Sequence, residues 1–129
     1  TNYNVTMTAR NASLGQQAAH KINSETTGTG QVTCVELDLS NLQHIREFGE
    51  QYQQASTGDP NHQGMGAPLN VLSFNAGLMN SPYHMCTNTL EGSSTQCIES
   101  QYQINHLSSM LLIHYLLPSM VSTRKTRHS

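Results

Sequence analysis

Between Tyr3 and Ile22 the chain changes its hydrophobic period, and that change constrains the fold more than any other feature. Tyr3, Val5 and Met7 alternate with Asn4, Thr6 and Thr8, the period of two expected of a strand. From Asn11 onward Leu14, Ala18 and Ile22 recur every four residues, which predicts a helix over 12–23 with Asn11 as its N-cap. The switch then repeats. Residues 24–30 are loop chemistry, and Val32, Cys34, Val35 and Leu37 form a second, more fully buried strand. Ser40 and Gln43 have the capping-box spacing, ahead of a helical face of Leu42, Ile45, Phe48 or Gly49, and Tyr52. A polar Gly/Pro-rich loop over 55–68 leads to a short third strand at 69–74. Residues 78–98 show no period and read as a long irregular connection. The strongest helix is expected at 99–117, apolar at Tyr102, His106 or Leu107, Met110, Leu111, Ile113, His114 and Leu117, and stopped by Pro118.

Strands alternating with helices in the order β-α-β-α-β-α imply parallel pairing through right-handed crossovers, hence an α/β sheet. There is no internal repeat. The 129 residues are about one domain by length alone. Six Lys plus Arg and a net charge of −2 argue against electrostatic nucleic-acid binding. No apolar stretch reaches the roughly 18 residues of a membrane span. Charged residues make up only 11% of the chain, against roughly 25% in an ordinary domain. Ser, Thr, Asn and Gln take their place, spread throughout rather than gathered in loops. Thr1 to Val5 has neither a basic region nor an apolar core, so no signal peptide is visible there and a cytoplasmic location is the default expectation. The glycosylation triplets at Asn4 and Asn11 are short enough to arise by chance. No initiator Met stands at Thr1, so the chain reads as a piece of something longer.

In an open α/β sheet, ligands bind beyond the carboxyl ends of the strands. Those ends carry Ala9-Arg10-Asn11, Asp38-Leu39-Ser40 and Asn75-Ala76-Gly77. Arg10 offers a rigid fork of donors for a phosphate. Asp38 can accept from an amino group or hydroxyl, and Ala76 and Gly77 let another molecule approach the backbone closely. Each also has an ordinary reading: a solvated charge, a helix cap and a turn. Other constellations fail. Gly28-Thr29-Gly30 precedes a strand, whereas a dinucleotide fingerprint comes after one. There is no phosphate-loop motif. The three cysteines (Cys34, Cys86 and Cys97) contain no CxxC pair and read as free thiols. Among the seven histidines, His84 with Cys86 and Cys97 is the best metal cluster, yet it falls short of four well-spaced ligands; no metal is expected. His106 and His114 roughly share a helix face and read as partly buried structural histidines.

Taken in order, Arg10-Asn11, Leu37-Asp38-Leu39-Ser40, Asn75-Ala76-Gly77-Leu78-Met79, Thr89-Leu90-Glu91-Gly92, Asn105-His106-Leu107 and 111–118 (LLIHYLLP) resemble the middle of a short-chain dehydrogenase/reductase of the retinol-dehydrogenase-like branch. The resemblance runs from about Tyr3 to Ser122. It implies a partial Rossmann-type doubly wound parallel sheet with three of the family's strands, the whole of 1–129 being one partial NADP-binding domain. It also implies that Arg10 contacts the 2′-phosphate of NADP(H), the strand end having no acidic residue to favour NAD(H). Asp38 and Leu39 would hold the adenine ring. Asn75, Ala76 and Gly77 would line the cofactor beside the ribose. Asn105 would be the helix asparagine of the catalytic tetrad, supporting a proton relay through water. The implied chemistry is hydride transfer between the nicotinamide and a small-molecule alcohol or carbonyl substrate, retinol-like or otherwise hydrophobic.

The sequence departs from the family at several points. The first strand with its Gly-rich turn is not among these residues. Nor is the Tyr-x-x-x-Lys pair: Tyr3, Tyr52, Tyr83, Tyr102 and Tyr115 have Met7, Ser56, Thr87, His106 and Ser119 four residues on. Such a Tyr donates the proton to the carbonyl oxygen, and the Lys lowers its pKa, so the chain alone is expected to be inactive. Phe74 stands where the family has a first Asn, residues 93–98 look inserted, and the 55–68 loop is extended. Two other readings stay open. One is a catalytically dead relative that still binds nucleotide or a protein partner. The other is a receiver-like module with Asp38 as acceptor, against which Ala9-Arg10-Asn11 stands where an acidic pair would be needed. In the family's strand order the missing strand separates the one ending at Arg10 from the one ending at Phe74. The isolated chain should therefore be marginally stable: its urea unfolding should be shallow, and a steep cooperative transition would show otherwise.

Overall fold

The computed structural model describes residues 3–55, 68–79 and 98–126. The chain divides into two compact units, Thr1–Asp38 and Leu39–Ser129. It is an α/β protein in which two parallel strands alternate with helices.

In the first unit β1 (Val5–Ala9) and β2 (Val32–Glu36) pair in parallel, with Val5 opposite Val32 and Ala9 opposite Glu36. The crossover between them is α1 (Ala12–Glu25). As the sequence predicts, Asn11 caps it: the Asn11 Oδ1 accepts from the Leu14 N–H at 3.0 Å, satisfying one of the orphan donors of the first turn. Gly15 lets the helix lie on the sheet, because a Cβ there would run into the Cys34 Sγ and stand 2.9 Å from the Ala9 Cβ. At the far end of α1 the Asn23 side chain holds the start of β2. Its Nδ2 donates to the Val32 carbonyl and its Oδ1 accepts from the Val32 N–H, both at 2.8 Å. Burial pushes the Cys34 thiol above its ordinary pKa, which suits an inert free thiol.

In the second unit α2 (Leu42–Ala55) buries Ile45, Phe48, Gly49, Tyr52 and Ala55, the face its periodicity predicts. Its cap lies one residue later than the capping-box spacing suggests. Asn41, not Ser40, accepts from the His44 N–H at 3.1 Å, while Gln43 turns away to donate to the Glu47 carboxylate at 2.9 Å. The C-terminal helical region consists of α3 (Ser100–Tyr102), a π-helical turn (Gln103–Leu107) and α4 (Ser108–Thr126) without a break. Glu99 caps its start, and the N–H groups of Gln101 and Tyr102 hold that carboxyl below its usual pKa.

Three expectations are corrected here. Pro118 does not end the helix. Its ring is on the solvent side while Leu116 and Ser119 are buried on either side of it, so packing holds the helix across the missing hydrogen bond. The buried face is not the one read from an unbroken α period. Leu112 and Leu116 are inside, whereas Tyr102, Met110 and Leu117 are about half exposed, because the π turn inserts an extra residue and rotates the rest of the helix. Residues 69–74 form no strand, and the only ladder among the described residues joins β1 to β2. A strand exists through ladder pairing with a neighbour; 69–74 takes no part in the β1–β2 ladder, and Val71 (73% exposed) and Phe74 (43%) face solvent.

At Gly49 α2 and α4 approach closely, since a Cβ would run into the Tyr115 ring, with its Cδ2 at 2.8 Å. Gly49→Ala should destabilise the second unit by about 1–3 kcal/mol through overpacking, read as a fall in thermal midpoint. An unchanged midpoint would mean that the two helices part without cost.

Candidate functional site

The first unit places Arg10 and Asp38 beyond the same edge of the sheet. The ladder ends with the Leu37 N–H donating to the Ala9 carbonyl at 3.0 Å, and each residue comes directly after its side of that bond. Arg10 is exposed and Asp38 half-buried. The turn carrying Arg10 runs straight into α1, whose first turn holds no acidic residue. A guanidinium fork beside the N–H groups of a helix start suits a phosphate, and no carboxylate in that turn opposes one. The residues present there are chemically suited to a phosphate group of a nucleotide cofactor.

In the second unit Asn105 sits in the π turn and reaches the residue just after Asn75-Ala76-Gly77. Its Oδ1 accepts from the Leu78 N–H at 2.7 Å and its Nδ2 donates to the Leu78 carbonyl at 2.8 Å. One amide thus satisfies both backbone groups of Leu78, as a neighbouring strand would. Asn75, Ala76 and Gly77 are all exposed. Among the described residues, a Cβ on Gly77 would meet only the Asn105 Oδ1, at an ordinary 3.5 Å. Leu39 is half-buried in a turn with Ser40. The Leu39 carbonyl accepts from the Ser108 hydroxyl at 2.6 Å, and the Ser40 carbonyl from the Gln103 Nε2 at 2.7 Å.

Sequence reasoning reaches Asn105 but not Gln103 and Ser108, both fully buried. They do not stand out among the polar residues of 100–109 (SQYQINHLSS), and a spacing of five is no α-helical repeat, so nothing joins them to one face. His84, Cys86 and Cys97 lie outside the described residues. Among the described residues no three His, Cys, Asp or Glu gather as metal ligands.

The family model for short chain dehydrogenases matches residues 1–127. The chain belongs to the short-chain dehydrogenase family. This short-chain dehydrogenase is 32% identical to retinol dehydrogenase 11 of Homo sapiens over 123 residues, covering 95% of this chain and 33% of the relative. It is likewise 32% identical to the chloroplastic short-chain dehydrogenase TIC 32 A of Brassica napus over 94 residues, covering 73% of this chain and 24% of the relative. A third relative is oxidoreductase calI of Penicillium decumbens, 28% identical over 114 residues, 88% of this chain and 28% of the relative. The chain spans about a quarter to a third of the length of such curated relatives. No solved structure matches the chain. Among its described residues no helix is long and apolar enough to cross a membrane.

Removing the clamp on Leu78 should be visible at that amide. Asn105→Ala should speed Leu78 hydrogen exchange by about tenfold, the equivalent of one lost hydrogen bond of about 1.4 kcal/mol. Asn105→Asp, which keeps the acceptor but not the donor, should fall between. Unchanged exchange in the alanine variant would show that other contacts hold the segment.

Proposed function

We propose that this chain is the cofactor-holding part of an NADP(H)-dependent short-chain oxidoreductase. Bound NADP(H) supplies the hydride that passes between the nicotinamide and an alcohol or carbonyl carbon. In this reading Arg10 pairs with the 2′-phosphate, Asp38 and Leu39 hold the adenine, and Asn75, Ala76 and Gly77 lie beside the ribose. Asn105 fixes the segment after Gly77 and contributes to the proton relay. The two parallel strands and their helices belong to a doubly wound Rossmann-type sheet. A hydrophobic alcohol or aldehyde is the substrate class, on the strength of the retinol dehydrogenases among the relatives.

The observation that carries the cofactor assignment is the β1–α1 turn. Arg10 is exposed there, Ala9 ends the strand, and no acidic residue stands in the first turn of α1. A carboxylate at that place would pair with a ribose 2′-hydroxyl; an arginine pairs with a 2′-phosphate. The acid that donates to the substrate oxygen is not one of this chain's tyrosines, none of which precedes a lysine by four residues. Turnover is therefore a property of the protein that also supplies that pair.

Adenosine 2′,5′-bisphosphate carries the adenine and the 2′-phosphate without the nicotinamide, so it probes only the end these residues would hold. Titrated against the full chain, it should bind at least about tenfold tighter than adenosine 5′-phosphate, the preference being lost in Arg10→Ala, as expected for one charge-assisted hydrogen-bonded pair. Equal affinity for the two nucleotides, or a preference that survives Arg10→Ala, would overturn the NADP(H) assignment.

A further inference from the structure

Gln103 and Ser108 are five residues apart, yet both reach the same turn. The Ser108 Oγ donates to the Leu39 carbonyl at 2.6 Å, and the Gln103 Nε2 donates to the Ser40 carbonyl at 2.7 Å and, at the limit of a hydrogen bond, to Leu39 at 3.5 Å. In an α-helix of 3.6 residues per turn, positions five apart point about 140° from one another. In a π turn they are hydrogen-bonded neighbours, and here the Ser108 N–H does donate to the Gln103 carbonyl. The wide turn is therefore what puts both side chains on one face. Neither has any exposed surface.

The chemistry of Gln103 says which end of its amide matters. Its Oε1 is buried with no partner among the described residues, and a buried acceptor without a donor costs stability. An apolar side chain of the same length would avoid that cost. What glutamine alone supplies is the pair of N–H donors that meets the Leu39–Ser40 turn.

We infer that Gln103 and Ser108 are positioning residues: they lock the Leu39–Ser40 turn in the shape that receives the adenine, and the π turn is the device that brings them together. This rests on the reading that Leu39 faces the adenine. The same turn presents Asn105 to Leu78, so one short piece of helix fixes two of the segments assigned to the cofactor.

The full chain and its Ser108→Ala, Gln103→Met and Ser108→Thr variants should be compared by the amide chemical shifts and hydrogen exchange of residues 38–41 and by affinity for adenosine 2′,5′-bisphosphate. Ser108→Ala and Gln103→Met should speed exchange in the turn and weaken the nucleotide by about fivefold each, the weight of one neutral hydrogen bond. Ser108→Thr keeps the hydroxyl and should restore both. Because Ser108→Ala leaves only a small void, it reports even if Gln103→Met unfolds. Unchanged exchange in Ser108→Ala overturns the inference whatever the nucleotide does. Faster exchange with undiminished affinity, while Arg10→Ala still loses the bisphosphate, also overturns it and leaves the cofactor assignment standing. A wild-type chain that binds neither nucleotide overturns the cofactor assignment, and the positioning role with it.

Discussion

The side-chain amide, acting as a substitute for a peptide group, is the interaction on which most of this structure depends. Asn23 and Asn105 each satisfy both the N–H and the carbonyl of one backbone residue, Val32 and Leu78. Asn11 and Asn41 cap the first two helices. Gln53 donates to the Tyr115 carbonyl at 2.8 Å, tying α2 to α4. An amide carries a donor and an acceptor in one plane and no net charge, so one side chain can match both the N–H and the carbonyl of a peptide group, which neither a carboxylate nor an ammonium can do. This gives the scarcity of charge a physical setting. The ion pairs Lys21–Glu25 and Arg46–Glu50 join residues four apart on exposed helix surface, where such pairs contribute little. Among the described residues, uncharged amides tie α1 to the start of β2, the π turn to Leu78 and α2 to α4.

The π turn extends that logic to the second unit. An α-helix repeats too tightly to aim residues 103 and 108 the same way, and its regular phase would bury the stripe that begins at Tyr102. With one extra residue in the turn, Tyr102 and His106 are left outside, their rings 5.4 Å apart, and Leu112, Leu116 and Ser119 turn inward. A single local irregularity thus decides both which polar groups meet the Leu39–Ser40 turn and which apolar groups meet α2.

How far each feature is legible in the sequence depends on the range of the interaction that decides it. The cap at Asn11, the extent of α1 and the buried face of α2 depend on neighbours within one or two turns, and the residues there state them directly. The Arg10 and Asp38 placement comes from parallel pairing, which the alternation of elements implies. Features set by distant contacts are not stated by their own residues. Whether Ser40 or Asn41 caps α2 is decided in a turn whose Ser40 carbonyl is held from residue 103. Whether Pro118 ends a helix depends on the packing of Leu116 and Ser119. Whether 69–74 is a strand depends on a pairing neighbour and not on its own residues. The roles of Gln103 and Ser108 are hidden because the α-helical period fails where they sit.

The glycines separate space the chain fills from space it does not. At Gly15 the missing Cβ is replaced by the Cys34 side chain, and at Gly49 by the Tyr115 ring; both are buried, and the absence of a side chain is used by the protein's own packing. Gly77 is different. It is exposed, and among the described residues a Cβ there would approach the Asn105 Oδ1 at 3.5 Å. Nothing in the described residues demands a glycine at 77, while Asn105 holds the adjoining Leu78 backbone firmly in place. A backbone held at Leu78 beside a residue with no side chain is compatible with close approach by a second molecule. The clamp and the glycine have meaning together: without the clamp the open space would be only a flexible turn.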